Sequence, residues 1–239
     1  ITALGYGRDE KLFKEFWPAD VHVIGKDILR FHAAIWPAML LSAGLPLPKT
    51  LLVHGFITSG GKKMSKTLGN VIDPEELLKE YGTDAVRYYL ARHISPFEDG
   101  DITQESFKDA YNADLANGLG NLAARIMQLA QTNLAGQVEL EKLEFPAEFS
   151  QALTNFEIHK AVEIAWQKIQ ALDQKITTTE PFKVIKVNPE EGKKIIGELV
   201  QELAHIAVML EPILPTTAGK LWEAIKQNKK PENLFPRKD

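Results

Sequence analysis

The chain has 239 residues, no cysteine, and 28 Lys and Arg against 32 Asp and Glu, a formal net charge of −4. This length holds one large domain or two modest ones, and 44% hydrophobic with 25% charged residues is ordinary for a folded globular chain. These values exclude disulfides, Cys-ligated zinc or iron–sulfur centres and a generic polycation that coats nucleic acid, and no apolar run is long enough to cross a bilayer.

The sequence opens mid-pattern at Ile1-Thr2-Ala3-Leu4, with no initiator methionine or signal-peptide pattern, so a fragment of a longer protein is expected. Val21 to Gly25 reads as a short buried strand, β-branched and ended by glycine. Lys26 to Leu41 carries a helical apolar pattern through Ile28, Phe31, Ile35 and Leu40, with a kink expected at Pro37. Leu45-Pro46-Leu47-Pro48 connects to a second buried strand, Thr50 to His54. Strand–helix–strand implies a parallel α/β unit whose ligand edge lies at the strand C-termini, where Gly25 and His54-Gly55 fall.

Lys63-Met64-Ser65-Lys66-Thr67 follows, with Gly60 and Gly61 before it and Gly69 and Asn70 after. A flexible loop with two lysines suits a polyphosphate, because an ammonium brought over the phosphates stabilises charge that builds only as pyrophosphate leaves. A solvated lysine-rich loop gives the same K-x-x-K spacing, and the flanking residues decide between the two. Asp73-Pro74-Glu75-Glu76 is a helix start in which Asp73 caps and Glu76 completes a capping box; Gly82 ends that helix and Thr83 begins another to about Arg92. Beyond Thr103 strand signals nearly vanish. Helices are expected at about 104–134, 149–176, 189–210 and 215–227, with loops around 136–146 and 177–189, packed as a bundle.

Taken together, Gly25-Lys26-Asp27-Ile28-Leu29-Arg30-Phe31-His32, Trp36-Pro37, His54-Gly55-Phe56, the lysine loop and Tyr111-Asn112-Ala113-Asp114-Leu115-Ala116-Asn117 resemble the methionyl-tRNA synthetase family of class I aminoacyl-tRNA synthetases. The loop matches that class's KMSKS signature with Thr67 in place of the last serine. The resemblance implies the second half of a Rossmann-like α/β catalytic domain (1–58), a lysine-loop and stem-contact linker (59–102) and a mainly α-helical anticodon-binding bundle (103–239).

The implied function is methionine–tRNA ligation. Methionine is activated with ATP, magnesium accompanying the nucleotide, and transferred to tRNA(Met). Lys66, assisted by Lys63, is implied at the phosphates, and Gly25, Asp27, His54 and Gly55 at the adenosine. Ile28, His32 and Trp36 share one helix face at i, i+4 and i+8, and the resemblance assigns them to the methionine site; spacing alone favours an ordinary core face. Asn121 and Arg125, again i and i+4, and Phe182 are implied at the anticodon, Phe182 standing where the family usually carries a stacking tryptophan. Asp173 and Lys175-Ile176 also depart from the family pattern.

The family's HIGH-type motif is absent, so the missing N-terminal catalytic half is an expected partner and this chain alone is expected to be inactive. The implied location is cytoplasmic, with no membrane partner and no zinc held by this segment. Two other readings remain at this stage: a tRNA-binding module whose lysine loop is vestigial, and a class I synthetase for another aliphatic amino acid.

Overall fold

The computed structural model describes all 239 residues apart from the side chain of Lys66. Two compact units form: Ile1–Lys63 with Ser95–Asp101, and Met64–Ile94 with Ile102–Asp239. Residues 59–102, expected as one linker, thus contribute to both.

In the first unit, Asp9 caps helix α1 (Glu10–Phe16) by accepting from Lys11 N at 3.1 Å and Leu12 N at 3.0 Å. Strands β1 (Val21–Gly25) and β2 (Thr50–His54) pair in parallel over the expected ranges, with Val21 opposite Thr50 and Gly25 opposite His54. The crossover runs as a 3₁₀ turn (Lys26–Ile28), a π-helical stretch (Phe31–Ile35) and helix α2 (Trp36–Ser42). Pro37 is the second residue of α2 and follows directly on the π-helical turns. Val23, Phe31, Met39 and Leu41 are more than half exposed, so the two-stranded sheet and its helix leave apolar surface uncovered.

A second sheet has the order β4-β3-β5, with β3 (Ile57–Ser59) antiparallel to β4 (Lys62–Lys63) and parallel to β5 (Gly100–Asp101). Gly60 and Gly61, with φ of +61° and +71°, make the two-residue hairpin turn that the strand twist prefers.

In the second unit, α3 (Pro74–Tyr81) starts at Asp73, whose Oδ1 accepts from Glu75 N at 2.8 Å, one residue earlier than in a capping box. Gly82 separates it from α4 (Thr83–His93). A reciprocal Thr103–Ser106 capping box opens α5 (Gln104–Ala110), which runs through a π-helical stretch (Tyr111–Gly120) into α6 (Asn121–Asn133). The single expected helix at 104–134 thus has a wound-out centre, where Asn121 N bonds Ala116 O, five residues back.

The helix expected at 149–176 is two helices, α7 (Ala147–Thr154) and α8 (Ile158–Thr179), because Phe156 adopts φ +61°, which no helix continues through. The expected loop at 177–189 contains α9 (Pro181–Val187), which begins at proline directly after the left-handed Glu180. Helices α10 (Pro189–Leu210), capped by Asn188, and α11 (Pro215–Lys226) complete the bundle near their expected ranges. Leu115, Leu119, Ile126, Leu172, Ile176 and Leu203 are among its fully buried apolar side chains.

Helix α4 is fastened to the bundle at both ends of one turn. Asp84 Oδ2 accepts from Thr217 N at 2.6 Å and from Thr217 Oγ1 at 2.7 Å, in the first turn of α11. Three residues on, Arg87 donates to Ile213 O at 2.8 Å and Pro212 O at 2.9 Å, just beyond the C-terminus of α10. An anion meets the positive end of one helix dipole and a cation meets free carbonyls after the other. Asp84 is 7% exposed and its Oδ1 has no hydrogen-bond partner among the described residues, so the Thr217 bonds and the dipole of α11 carry the burden of keeping that carboxylate inside.

A second anchor joins α4 to the π stretch and α8. Tyr88 donates to Asp114 Oδ2 at 2.5 Å, Arg92 donates to Tyr88 Oη at 2.8 Å, and Arg92 pairs with Asp114 and Glu163 while lying over the Trp166 ring. Burial pushes the Asp114 carboxyl up, but His93, Tyr88 and the Arg92 charge outweigh it and hold it below the usual carboxylate range.

Asp84→Ala leaves both buried Thr217 donors without their acceptor, and is expected to cost ~2–3 kcal/mol in urea unfolding. Arg87→Ala, removing an exposed side chain, is expected to cost less. Equal, unchanged midpoints for both variants would refute the clamp.

Candidate functional site

The parallel register places Gly25 and His54 side by side at the C-terminal edge of the first sheet, and Asp27 follows within one turn. A Cβ built on Gly25 would stand 2.8 Å from Asp27 Oδ1 and 3.9 Å from His54 Cε1, so three of the four expected adenosine residues surround one small space. His54 Nδ1 lies 2.9 Å from Gly55 O. A carbonyl accepts only, so Nδ1 is the donor in this bond.

Gly55 is a packing requirement. A Cβ there would lie 2.1 Å from Glu98 O and 2.7 Å from Asp99 N, both backbone atoms. The close approach brings Asp99 over the start of the lysine-bearing hairpin. Asp99 Oδ1 accepts from Phe56 N at 2.8 Å, and both carboxylate oxygens take Lys26 Nζ, at 2.6 and 2.7 Å. Two residues on, Asp101 Oδ1 accepts from Thr58 Oγ1 at 2.7 Å and Gly61 N at 2.9 Å, pinning the Gly60–Gly61 turn. The Lys26 hydrogen bond holds Asp99, and the Thr58 hydroxyl holds Asp101, below the usual carboxylate range. Neither aspartate was singled out from the sequence. The available signal was an Asp-Gly-Asp repeat, which means little until β5 is seen beside β3.

Phe56 receives two ammonium groups, Lys26 Nζ at 4.6 Å and Lys63 Nζ at 5.3 Å from the ring centroid. The role expected of Lys66 falls on a side chain outside the described residues. Ser65 N donates to Asn70 Oδ1 at 2.9 Å, which closes the far side of the loop on itself.

Of the three residues expected at methionine, His32 and Trp36 line one open cavity of about 420 Å³ together with Trp17, His22 and Ile24. Ile28 is not among its lining residues; its side chain is exposed and its carbonyl takes His32 Nδ1 at 3.0 Å. Because the carbonyl only accepts, His32 Nδ1 is the donor in that bond. Trp17 meets Trp36 edge-on at 6.2 Å, and its Nε1 donates to Pro46 O at 3.0 Å. The His22 ring is 6.4 Å from His32, and burial, then His32, lowers its pKa, which favours an uncharged wall. Trp17 and His22 were missed in the sequence, because a sheet residue and the end of a preceding helix share no periodicity with the crossover helix.

In the bundle, Asn121 is exposed on the first turn of α6. Arg125, one turn on, gives Nη1 to Asp173 Oδ1 on α8 at 2.6 Å. Lys175 bonds Glu202 at 2.7 Å and Glu198 at 3.2 Å, and the Glu202 bond, then Glu198, raises its pKa. Phe182 is 44% exposed on α9. No group of three or more His, Asp or Glu placed to hold a metal occurs among the described residues, and no helix there is long and apolar enough to cross a membrane.

Residues 1–127 match the family model described as tRNA synthetases class I (M). The methionine–tRNA ligase of Rickettsia felis is 37% identical over 251 residues, covering 98% of this chain and 49% of that protein. The one from Rhizobium meliloti is 39% identical over 224 residues, covering 88% and 43%. Among solved structures, Mycobacterium tuberculosis methionyl-tRNA synthetase in complex with methionyl-adenylate superposes with a TM-score of 0.80 at 32% identity, over all of this chain and 53% of that one. Its apo form gives 0.80 at 30% identity. The chain spans about half the length of the curated relatives it matches.

Gly55→Ala is expected to push the Glu98–Asp99 backbone away and cost ~1–3 kcal/mol, as overpacking does. Hydrogen exchange reads it directly: the Phe56 amide loses its protection. An unprotected Phe56 amide in the wild type, or unchanged protection in the variant, would show that Gly55 does not carry this contact.

Proposed function

The chain belongs to the methionyl-tRNA synthetases of class I, and on that premise we propose that it supplies the second half of the catalytic domain and the anticodon-reading bundle of a methionine–tRNA ligase. In the first step a methionine carboxylate oxygen attacks the α-phosphorus of ATP, forming the acyl-phosphate bond as the bond to pyrophosphate breaks. In the second, a ribose hydroxyl at the tRNA 3′ end attacks the acyl carbon and AMP departs. Magnesium enters with ATP as part of the substrate.

The observation that carries this reading is the convergence of Gly25, Asp27, His54 and Gly55 on one edge of a parallel sheet. That edge is where parallel α/β folds bind nucleotides. Asp27 accepts hydrogen bonds from the ribose hydroxyls, and the Gly25 gap lets the nucleoside approach the backbone. The His54 ring, oriented by Gly55 O, stands against the adenosine. Lys63 and Lys66 act on the phosphates, where positive charge is worth most as pyrophosphate separates.

The aromatic cavity beside His32 and Trp36 suits the methionine thioether, with the uncharged His22 and Trp17 as further walls. Ile28 borders this site from outside the cavity. In the bundle, Asn121, Arg125 and Phe182 read the anticodon, with the Phe182 ring as stacking platform; an incoming base must take the Arg125 guanidinium from Asp173. The assignments divide the chain functionally into 1–58, 59–102 and 103–239, and charging tRNA places the work in the cytoplasm.

The exposed apolar side chains around β1 and α2 and the half-length coverage of the relatives support the view that the activity needs the remaining catalytic half. The isolated chain is therefore expected to show no methionine-dependent ATP–pyrophosphate exchange. Measurable exchange by the chain alone would overturn that expectation.

Anticodon reading is tested by binding the chain to methionine tRNA and to the same tRNA with a changed anticodon. Binding is expected to fall at least tenfold with the changed anticodon. Phe182→Ala is expected to weaken binding to the cognate tRNA by roughly 1–3 kcal/mol, the range for losing one stacked base. Equal affinity for both tRNAs, or no effect of Phe182→Ala, would remove this role from the bundle.

A further inference from the structure

Lys26 stands at the nucleotide edge with its ammonium held by Asp99. It is the first residue after β1 and the neighbour of Asp27, so its backbone already stands where the sheet meets its ligand. Its ammonium and that of Lys63 lie within 4.6 and 5.3 Å of the same Phe56 centroid, so the two nitrogens are at most about 10 Å apart. A single polyphosphate bridges such a gap. We propose that Lys26 is a second polyphosphate ligand of this site, acting with Lys63 on the ATP phosphates and on released pyrophosphate, with Asp99 as the counter-anion that the phosphate replaces. The proposal rests on the reading of the lysine loop as a phosphate-binding loop.

Four features favour a ligand over a simple strut. Both Asp99 oxygens approach Nζ from one side, which leaves an ammonium hydrogen for an incoming oxygen. The side chains are 43% and 46% exposed, so the pair is screened by water and exchanges readily for a more highly charged anion. Asp99 has a second donor, Phe56 N, and so keeps a hydrogen bond when Lys26 leaves. The Phe56 ring lies under the Lys26 ammonium at 4.6 Å and adds a cation–π hold on it. Holding the cation near its working position before the ligand arrives lowers the ordering cost of binding.

The test is calorimetric titration of the whole 239-residue chain with magnesium pyrophosphate. Lys26→Gln is expected to weaken binding at least fivefold, Lys26→Arg to stay within about twofold of wild type, and Asp99→Asn to bind at least as tightly as wild type. Thermal unfolding of each variant separates folding from binding. If Lys26→Gln binds like wild type while Lys63→Gln and Lys66→Gln bind weakly, Lys26 is only a strut and the inference fails while the loop reading stands. If Asp99→Asn loses as much affinity as Lys26→Gln, the ion pair rather than the ammonium matters, and the inference fails again. A wild-type chain that binds no pyrophosphate at millimolar concentration would sink both readings.

Discussion

The parallel pairing of β1 with β2 is the constraint on which the candidate site depends. Pairing Val21 with Thr50 fixes every later partner by the two-residue period, and so puts Gly25 against His54. A slip of one residue in β1 would turn His22 and Ile24 to the other face, away from the aromatic cavity, and would take Gly25 from beside His54. The same register starts the crossover at Lys26, so Asp27 and the His32–Trp36 helix leave the sheet at its ligand edge. Gly25, Asp27, His54 and Gly55 all fall at or within two residues of those two strand ends.

A second constraint is the absence of a side chain at Gly55. The backbone of Glu98 and Asp99 occupies the volume that a methyl group would need, and this contact lets a distant segment supply Asp99 to Lys26 and Phe56 and Asp101 to the hairpin turn. The lysine-bearing hairpin thereby has a rigid root, although its tip is rich in glycine. Such an arrangement suits a loop that closes on a ligand, because only the tip has to move. In the second unit the same economy appears in α4, where Asp84 and Arg87 grip the start of α11 and the turn after α10. Tyr88 and Arg92 grip Asp114 in the π stretch, so one helix is tied to three others by its polar face.

Much of the chain was legible before any coordinates. The strands at 21–25 and 50–54 followed from β-branched runs closed by Gly25 and His54-Gly55, and the starts of α3 and α10 from Asp73-Pro74 and Asn188-Pro189. These are local signals: a cap, a proline in the first turn and a buried run each act through neighbouring backbone atoms. The failures were local signals overridden. Phe156 lies in an apolar stripe that continues smoothly through 149–176, yet its left-handed backbone breaks the helix. Residues 177–189 carry Thr, Pro and Asn, which read as a loop, but Pro181 opens the short helix that presents Phe182. The π stretches at 31–35 and 111–120 look like ordinary helix in sequence, because the apolar spacing changes too little over one or two turns.

The sequence by itself determined the family, the parallel α/β element, the phosphate-suited lysine loop and the helical character of everything after Thr103, because each rests on residue types at short fixed spacings. Tertiary structure alone decided which side chains meet across long separations. Asp99 finds Lys26 across 73 residues, Asp84 finds Thr217 across 133, and Arg125 is held by Asp173 across 48. Such pairs leave no periodic trace, since their geometry is set by how whole elements pack and not by the chain between them. The same packing brought Trp17 and His22 beside His32 and Trp36, completing a cavity of which the sequence revealed only one wall.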